Sequence, residues 1–252
     1  MVLKNSPVKK ILKRFVPEIS ANMGARENYG KIIDLLKLGT KFPRILVIGG
    51  SILGNGIERL VNEKDFEIIE TDVSFRPRTN IICDAHDLPF KSNSIDCVVA
   101  QAVLEHVVDP YRCVGEIHRV LKKDGLVYVE TPFMQQVHMG RYDFTRFTPL
   151  GHKRLFRQFR EIKNGLVAGP GTALAWAYRY FLVSFFESKK LVNLVTAFAR
   201  FTSFFLKYFD YYLADKPGSY DAASCLYFLG KKSKKLLTDE ELLKSYKGLI
   251  RF

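Results

Sequence analysis

Hydrophobic positions run along this chain in two rhythms. Between residues 44 and 130 short apolar runs alternate with amphipathic stretches, whereas between 173 and 213 apolar residues crowd nearly every position. Four in a row, Ile45, Leu46, Val47 and Ile48, predict a strand buried on both faces. The glycines after them (Gly49, Gly50, Gly54, Gly56) predict a turn, and residues 57–61 resume a helical spacing. A buried strand running through glycines into a helix is the ligand corner of an α/β sheet, because glycine has no Cβ to keep a ligand away from the backbone. Further strands are expected over 66–71, 80–83, 95–100 and 126–130, with a helix over 110–121 and a turn at 122–125. Strand and helix in alternation at this spacing predict a parallel sheet with right-handed crossovers. Ligands then gather at the carboxyl ends of the strands.

The flanks read differently. Residues 8–16 place Val8, Ile11, Leu12, Phe15 and Val16 on one helical face and Lys9, Lys10, Lys13 and Arg14 around the other, a short basic amphipathic helix. A loop over 22–28 leads to a second helix over 29–38 that ends at Gly39. Residues 131–156 are dense in His, Arg, Asp and aromatics with few aliphatics, as in a site-forming insert that leads into a helix near 151–159. Residues 173–213 read as two helix-length segments, interrupted by Arg179 and Arg200, with no unbroken apolar run of the roughly 18 residues that spanning a bilayer takes. A hairpin lying on the membrane and a buried or dimer-forming pair both fit. A late strand over 222–229 and a helix from Asp239 close the chain. The expected division is 1–41 as a basic helical segment, 42–160 as the binding core, 161–221 as an apolar helical insertion, and 222–252 as a returning strand and helix.

Charge adds a partner. The net charge of +13 divides as +6 over 1–41, −3 over 42–151 and +10 over 152–252. A mildly acidic centre between basic flanks argues against a DNA-binding enzyme with a basic active face, leaves RNA the weaker alternative, and fits a catalytic domain held at an anionic membrane surface. Cys83, Cys97, Cys113 and Cys225 show no C-x-x-C spacing and read as buried thiols of a reducing cytoplasm. The amino terminus has no separate apolar region or small-residue cleavage site, so it is not read as a secretory signal. The expected location is cytoplasmic and peripheral at the inner face of the membrane. Oligomeric state is not legible.

Three features are spaced as one nucleoside site. The glycine turn ends the first strand, Asp72 ends the second and Asp84 ends the third, just before Ala85 and Leu88-Pro89-Phe90. A carboxylate at the end of strand two accepts two hydrogen bonds at once from ribose hydroxyls, a device shared with nicotinamide enzymes. No G-x-G-x-x-G follows the strand, which disfavours that cofactor. The stretch CDAHDLPFKSNSIDCVVAQAVLEHVVDPYRCVGEIHRVLKKDGLVYVETPF closely resembles class I methyltransferases that use S-adenosylmethionine, in the type 11-like subgroup. The resemblance covers about residues 42–133. It implies a Rossmann-like α/β fold with a seven-stranded sheet, helices on both faces and antiparallel last strands; the apolar helical insertion read from the hydrophobic pattern is expected before those strands.

By this resemblance Gly49, Gly50 and Gly54 form the cofactor turn, with Gly49 against the methionine part. Asp72 holds the ribose, Asp84 and Ala85 meet the adenine, and Gln101 and Ala102 line the methionine end. Two departures stand out. Val47 occupies the place of the family's usual acid, and G-G-S-I-L-G-N-G replaces G-x-G-x-G, so the loop must close another way, for instance through Asn55. His106 reads as a residue ordering the strand-four loop, with a base as the alternative. Glu105, Asp109 and Glu116 read as solvated or capping charges, Asp109 in particular as an N-cap before Pro110. The run V-H-M-G-R-Y-D-F-T-R-F-T-P-L-G-H is similar to a segment of methyltransferases of surface-glycan biosynthesis. It makes His138 the candidate base, Asp143 its orienting partner and Arg146 the reader of an anionic or sugar group, with a hydrogen-bonded lid as the alternative. No metal is expected. The acceptor is expected to be a small molecule, a glycan or a lipid-linked intermediate; a quinone-type enzyme and a non-catalytic scaffold are the competing readings.

Overall fold

Ile45 and Val47 pack into one apolar layer and Leu46 and Ile48 into the other, as a strand covered on both faces requires. They belong to β1 (Arg44–Ile48), the third strand of a seven-stranded sheet in the computed structural model, which describes residues 16–249. The helix predicted at residues 8–16 lies almost wholly outside the described residues. The other strands are β2 (Glu67–Asp72), β3 (Ile81–Ile82), β4 (Ile95–Gln101), β5 (Leu121–Pro132), β6 (Phe159–Ala168) and β7 (Cys225–Lys232). Their order is β3-β2-β1-β4-β5-β7-β6, and all pairings are parallel except those of β7 with β5 and β6. This is the mixed methyltransferase sheet that the resemblance implied, with β7 alone reversed.

On one face lies α1 (Ala25–Gly39), which sets Tyr29, Ile32, Ile33 and Leu36 at the spacing of a single helical stripe against Ile45, Val47, Val99 and Tyr128. Short α2 (Glu58–Val61) adds Leu60 to that layer. On the other face α3 (Pro110–Val120) buries Cys113, Val114, Ile117 and Val120 beside Leu155 of α4 (Pro149–Leu155). Asp109 caps α3 by accepting from the Arg112 N–H at 3.0 Å, with Pro110 in the first turn, as the sequence suggested. Thr148 caps α4 in the same way, accepting from Gly151. Of the four free cysteines, Cys97 and Cys113 are buried and Cys83 and Cys225 partly so.

Two corrections concern the second half. Residues 159–168, divided in the sequence reading between the end of a helix and an apolar insertion, are strand β6. Only its last four residues are uniformly buried, and its polar first half lies at the sheet's edge, so alternation gave no signal. The turn expected over 122–125 is an irregularity within β5: Leu121 faces Ile95, Leu126 faces Cys97, and Asp124 between them takes a φ of 60°.

The helical insertion therefore starts at Pro170 and sits between β6 and β7. It comprises α5 (Pro170–Val183), α6 (Lys189–Ser203), α7 (Leu206–Leu213) and α8 (Pro217–Asp221), where two segments were expected over 173–213. Buried Asp210 ties α7 to the start of α5, accepting from Gly171 N–H at 2.7 Å and from the Thr172 hydroxyl at 2.6 Å. The two arginines that interrupt the apolar runs have local tasks. Arg179 stacks on Trp176 and Tyr180, and Arg200 pairs with Glu18 and donates to the Pro17 carbonyl. Among the described residues no helix is long and apolar enough to cross a membrane. The chain ends its described part with α9 (Asp239–Lys244), begun by a reciprocal Thr238–Glu241 cap.

Candidate active site

A cavity of about 520 Å³ opens where β1, β2 and β4 end, a size usual for small-molecule sites. Gly49, Gly54, Asp72, Asp84, Ala85, Gln101 and Ala102 line it, so seven of the eight predicted cofactor contacts converge. Gly50 does not join them. It is buried against β2, donates its N–H to the Thr71 carbonyl at 3.0 Å, and a Cβ there would sit 2.9 Å from Glu70 Cβ. Gly49 has a φ of +70°, and a Cβ on it would stand 2.6 Å from Val103, so the turn needs glycine for both conformation and space. Ala102 takes the left-handed φ of 55° without that freedom, a strained backbone at the cavity wall.

The two carboxylates are already partly engaged. Burial works to raise the Asp72 pKa, but hydrogen bonds from Ser51 and Ser74 outweigh it and hold the group below its ordinary range. It stays an anion able to accept from a ligand. Asp84 accepts the His86 N–H at 2.9 Å and meets Nδ1 of the same residue at 2.5 Å, and these contacts also lower its pKa. His86 Nε2 accepts from the Asp109 N–H, which places the ring proton on Nδ1. A chain of bonds thus links the cavity wall to the cap of α3.

The glycine turn closes without an acid at position 47. Gln101 donates from Nε2 to the Asn55 carbonyl at 3.2 Å and to Glu130 Oε2 at 2.9 Å, and its Oε1 accepts from the Tyr29 hydroxyl. Glu130, in the interior of β5, also accepts from Tyr128 at 2.6 Å and from Asn22 at 3.0 Å. Burial raises its pKa against the pull of these donors. Glu130 thereby anchors the turn from across the sheet. Nothing in the sequence reading pointed to it; the only trace is an acid flanked by apolar strand residues in LVYVETP.

Beyond Gln101 and Ala102, three loops meet. Glu105 and Glu116 were read as solvated or capping charges, and both are otherwise placed. Glu116 accepts the Leu88 N–H and pairs with Arg119, which donates to the Leu88 and Phe90 carbonyls and so holds the Leu88-Pro89-Phe90 loop. Glu105 is fully buried with no hydrogen-bond partner for either carboxylate oxygen, and burial pushes its pKa up to about 8. His106 and His138 face it, their rings edge to face with centroids 4.9 Å apart. Burial lowers the His138 pKa against the attraction of Asp143, so the ring is neutral at pH 7.

Asp143 accepts the backbone N–H of His138 at 3.0 Å and lies 3.5 Å from its Nδ1. Burial opposes but the Arg146 bonds dominate, holding Asp143 at about 2. Arg146 makes five bonds: both oxygens of Asp143 and the carbonyls of Gln135, Gln136 and Thr145. A guanidinium has five N–H groups, so none is left to read an acceptor. Its place is as the clasp of the loop that carries His138.

Residues 59–129 match the family model described as a methyltransferase domain. Over that span the chain is similar to methyltransferases. The domain's matched span contains Asp72, Asp84 and Gln101, while the glycine turn and the His138 loop lie outside it. Among curated proteins, the chain is similar to the mitochondrial arginine-hydroxylase NDUFAF5 of Mus musculus, 43% identical over 58 residues, which cover 23% of this chain and 16% of that protein. It is also similar to the ubiquinone/menaquinone biosynthesis C-methyltransferase UbiE of Cellvibrio japonicus, 29% identical over 140 residues, 50% of this chain and 51% of that protein. The matches span about half the length of these relatives or less. Among solved structures, phosphoethanolamine N-methyltransferase 2 of Haemonchus contortus, in complex with S-adenosyl-L-methionine, superposes with a TM-score of 0.52 over 92% of this chain and 58% of that one, at 15% identity. That likeness is one of fold.

Proposed function

We propose that this protein is an S-adenosylmethionine-dependent methyltransferase acting on a polar acceptor carried by a glycan or a lipid. The carrying observation is the cavity itself, in which the glycine turn, two acidic strand ends and Gln101-Ala102 converge with His106 also in the wall. The residues suit the cofactor: close backbone at Gly49, an ionised Asp72 for the ribose, and Asp84 with Ala85 for the base. When bound, S-adenosylmethionine supplies an electrophilic methyl group on sulfur, so that each turnover forms an acceptor–CH3 bond, breaks S–CH3 and leaves S-adenosylhomocysteine.

Positioning supplies most of the rate in such a displacement, and a hydroxyl acceptor also loses a proton. Neutral His138, held through its backbone N–H by Asp143, whose carboxylate also lies 3.5 Å from Nδ1, takes that proton on Nε2. Arg146 keeps Asp143 charged and in place. A second reading, a quinone-type methyltransferase, draws on the likeness to UbiE over half of the chain. Methyl-group transfer to carbon in a purified quinone, against transfer to oxygen in a glycan or lipid extract, separates the two.

Asp72→Ala should weaken S-adenosylhomocysteine binding by about 1.5–3 kcal/mol, the usual loss for charge-assisted hydrogen bonds. Isothermal titration calorimetry measures it, and unchanged affinity would remove Asp72 from the site.

The membrane is the proposed partner of the helical insertion. Phe181, Phe185, Leu194, Phe198 and Tyr212 are each more than half exposed, and Lys189, Lys190, Lys207 and Lys216 lie on or beside the same helices. Exposed apolar side chains with lysines on the same helices suit an anionic interface. Flotation with anionic vesicles should be salt-sensitive and should fail for the triple variant Phe185→Ser, Leu194→Ser, Phe198→Ser. Equal recovery with neutral vesicles, or a wild type that forms dimers in sedimentation and never floats, would count against this partner.

A further inference from the structure

Two imidazole edges point at a buried carboxylate that has no partner. Nε2 of His106 and Nε2 of His138 each lie 3.8 Å from Glu105 Oε1, and the three donor atoms fall within 4.8 Å of one another. These separations are too long for hydrogen bonds. They leave both Glu105 oxygens unsatisfied in a residue with no exposed surface, and an orphaned buried group of that kind calls for an unseen partner.

What lies behind the rings says what the partner is. His106 Nδ1 is 2.8 Å from the Tyr142 carbonyl, an oxygen that only accepts, so the ring proton sits on Nδ1 and Nε2 presents a lone pair toward Glu105. His138 turns Nδ1 toward a carboxylate at a longer, ion-pair distance: Asp143 Oδ2 lies 3.5 Å away, and Asp143 is locked by Arg146. An outward Nδ1 on an oxygen acceptor and an inward Nε2 is how proteins hold histidine for a metal. Ligands drawn to about 2.0–2.2 Å from an ion lie somewhat closer together than these atoms do, so binding would pull the two partly exposed rings inward.

We propose that Glu105, His106 and His138 form a binding site for a divalent first-row transition ion, with its remaining positions open to the cavity that His106, Gln135 and Met139 line. Two imidazoles and one carboxylate favour ions of the zinc, iron(II) or cobalt(II) type over magnesium, which prefers an all-oxygen shell. In the metal-loaded protein His138 is a ligand, and an acceptor hydroxyl bound to the ion releases its proton to water. This part of the inference rests on the methyl-transfer reading; metal binding itself does not.

The test is direct titration of the chelator-stripped full chain with Co²⁺, without acceptor or methyl donor. Visible absorption bands should rise to one equivalent and be displaced by Zn²⁺. In His106→Ala and Glu105→Gln the Co²⁺ affinity should fall by more than the roughly 10–100-fold that losing a supporting partner costs. An unchanged thermal unfolding transition by circular dichroism certifies that each variant is folded, and His138→Gln replaces either one that is not. No bands in the wild type at millimolar Co²⁺, or equal affinity in folded variants, overturns the site. Failure of S-adenosylhomocysteine binding in the wild type, with Co²⁺ binding intact, would instead strike the methyl-transfer reading alone.

Discussion

His138→Ala should lower methyl-transfer turnover by about 10²–10⁴-fold while S-adenosylhomocysteine affinity barely moves, because help with a proton is realised only in the transition state. Burial lowers the His138 pKa and keeps the ring neutral near pH 7, the state in which Nε2 carries a lone pair. Turnover should accordingly fall in acid as the ring protonates. Labelling of cell-envelope extract with a radioactive methyl donor supplies a first assay before the acceptor is identified. Asp143→Asn should show part of the same loss, since it leaves His138 without its charged support. Arg146→Ala should act through the loop, raising the protease sensitivity of residues 135–146 together with the loss of activity. If chelation of the wild type abolishes turnover, His138 works through the ion; if turnover survives, it works as the base itself. A His138→Ala enzyme of full activity would remove the residue from the chemistry in either case.

Acid should destabilise the protein through His152. The ring is buried beside Phe147 and Phe156, its Nε2 has no hydrogen-bond partner, and burial pushes its pKa down to about 3. A histidine whose folded pKa lies below its unfolded value near 6.5 stays neutral in the fold while the unfolded chain takes up a proton. Stability is therefore whole above pH about 6.5 and declines as pH falls toward 3, at about 1.4 kcal/mol per unit. At pH 4.5 the loss comes to about 2–3 kcal/mol. Urea unfolding at pH 7 and 4.5 measures it. The drop should be smaller by about that amount in His152→Leu, which keeps an apolar side chain of similar bulk between the two phenylalanines. An equal drop in both proteins would mean that the ring is protonated without cost in the fold.

The parts of this protein that were legible in its sequence are those whose physics is local. Period-2 and period-3.6 patterns, glycines after a buried strand, a capping Asp before proline and acids at strand ends all act over a few contiguous residues. They placed β1 to β4, the turn, Asp72 and Asp84 without any knowledge of packing, whereas Gln101 came only from the family resemblance. Strand β6 escaped because its polar, half-buried first half breaks the pattern at the sheet's edge. What only tertiary structure decided depends on groups far apart in the chain. The glycine turn is held through Gln101 because Glu130, itself reached by Asn22 and Tyr128 from separate elements, fixes the amide that donates to Asn55. Arg146 turned from a candidate reader of substrate into a clasp because carbonyls of its own loop and Asp143 consume all five of its N–H groups. Glu105 looks like a surface charge in LEHV, yet the loop that follows β4 folds it under His106 while the loop after β5 brings His138 over it. A one-dimensional pattern carries the period of a helix or strand; it carries no information on which loops cross, and burial and pairing of charges are set where they cross.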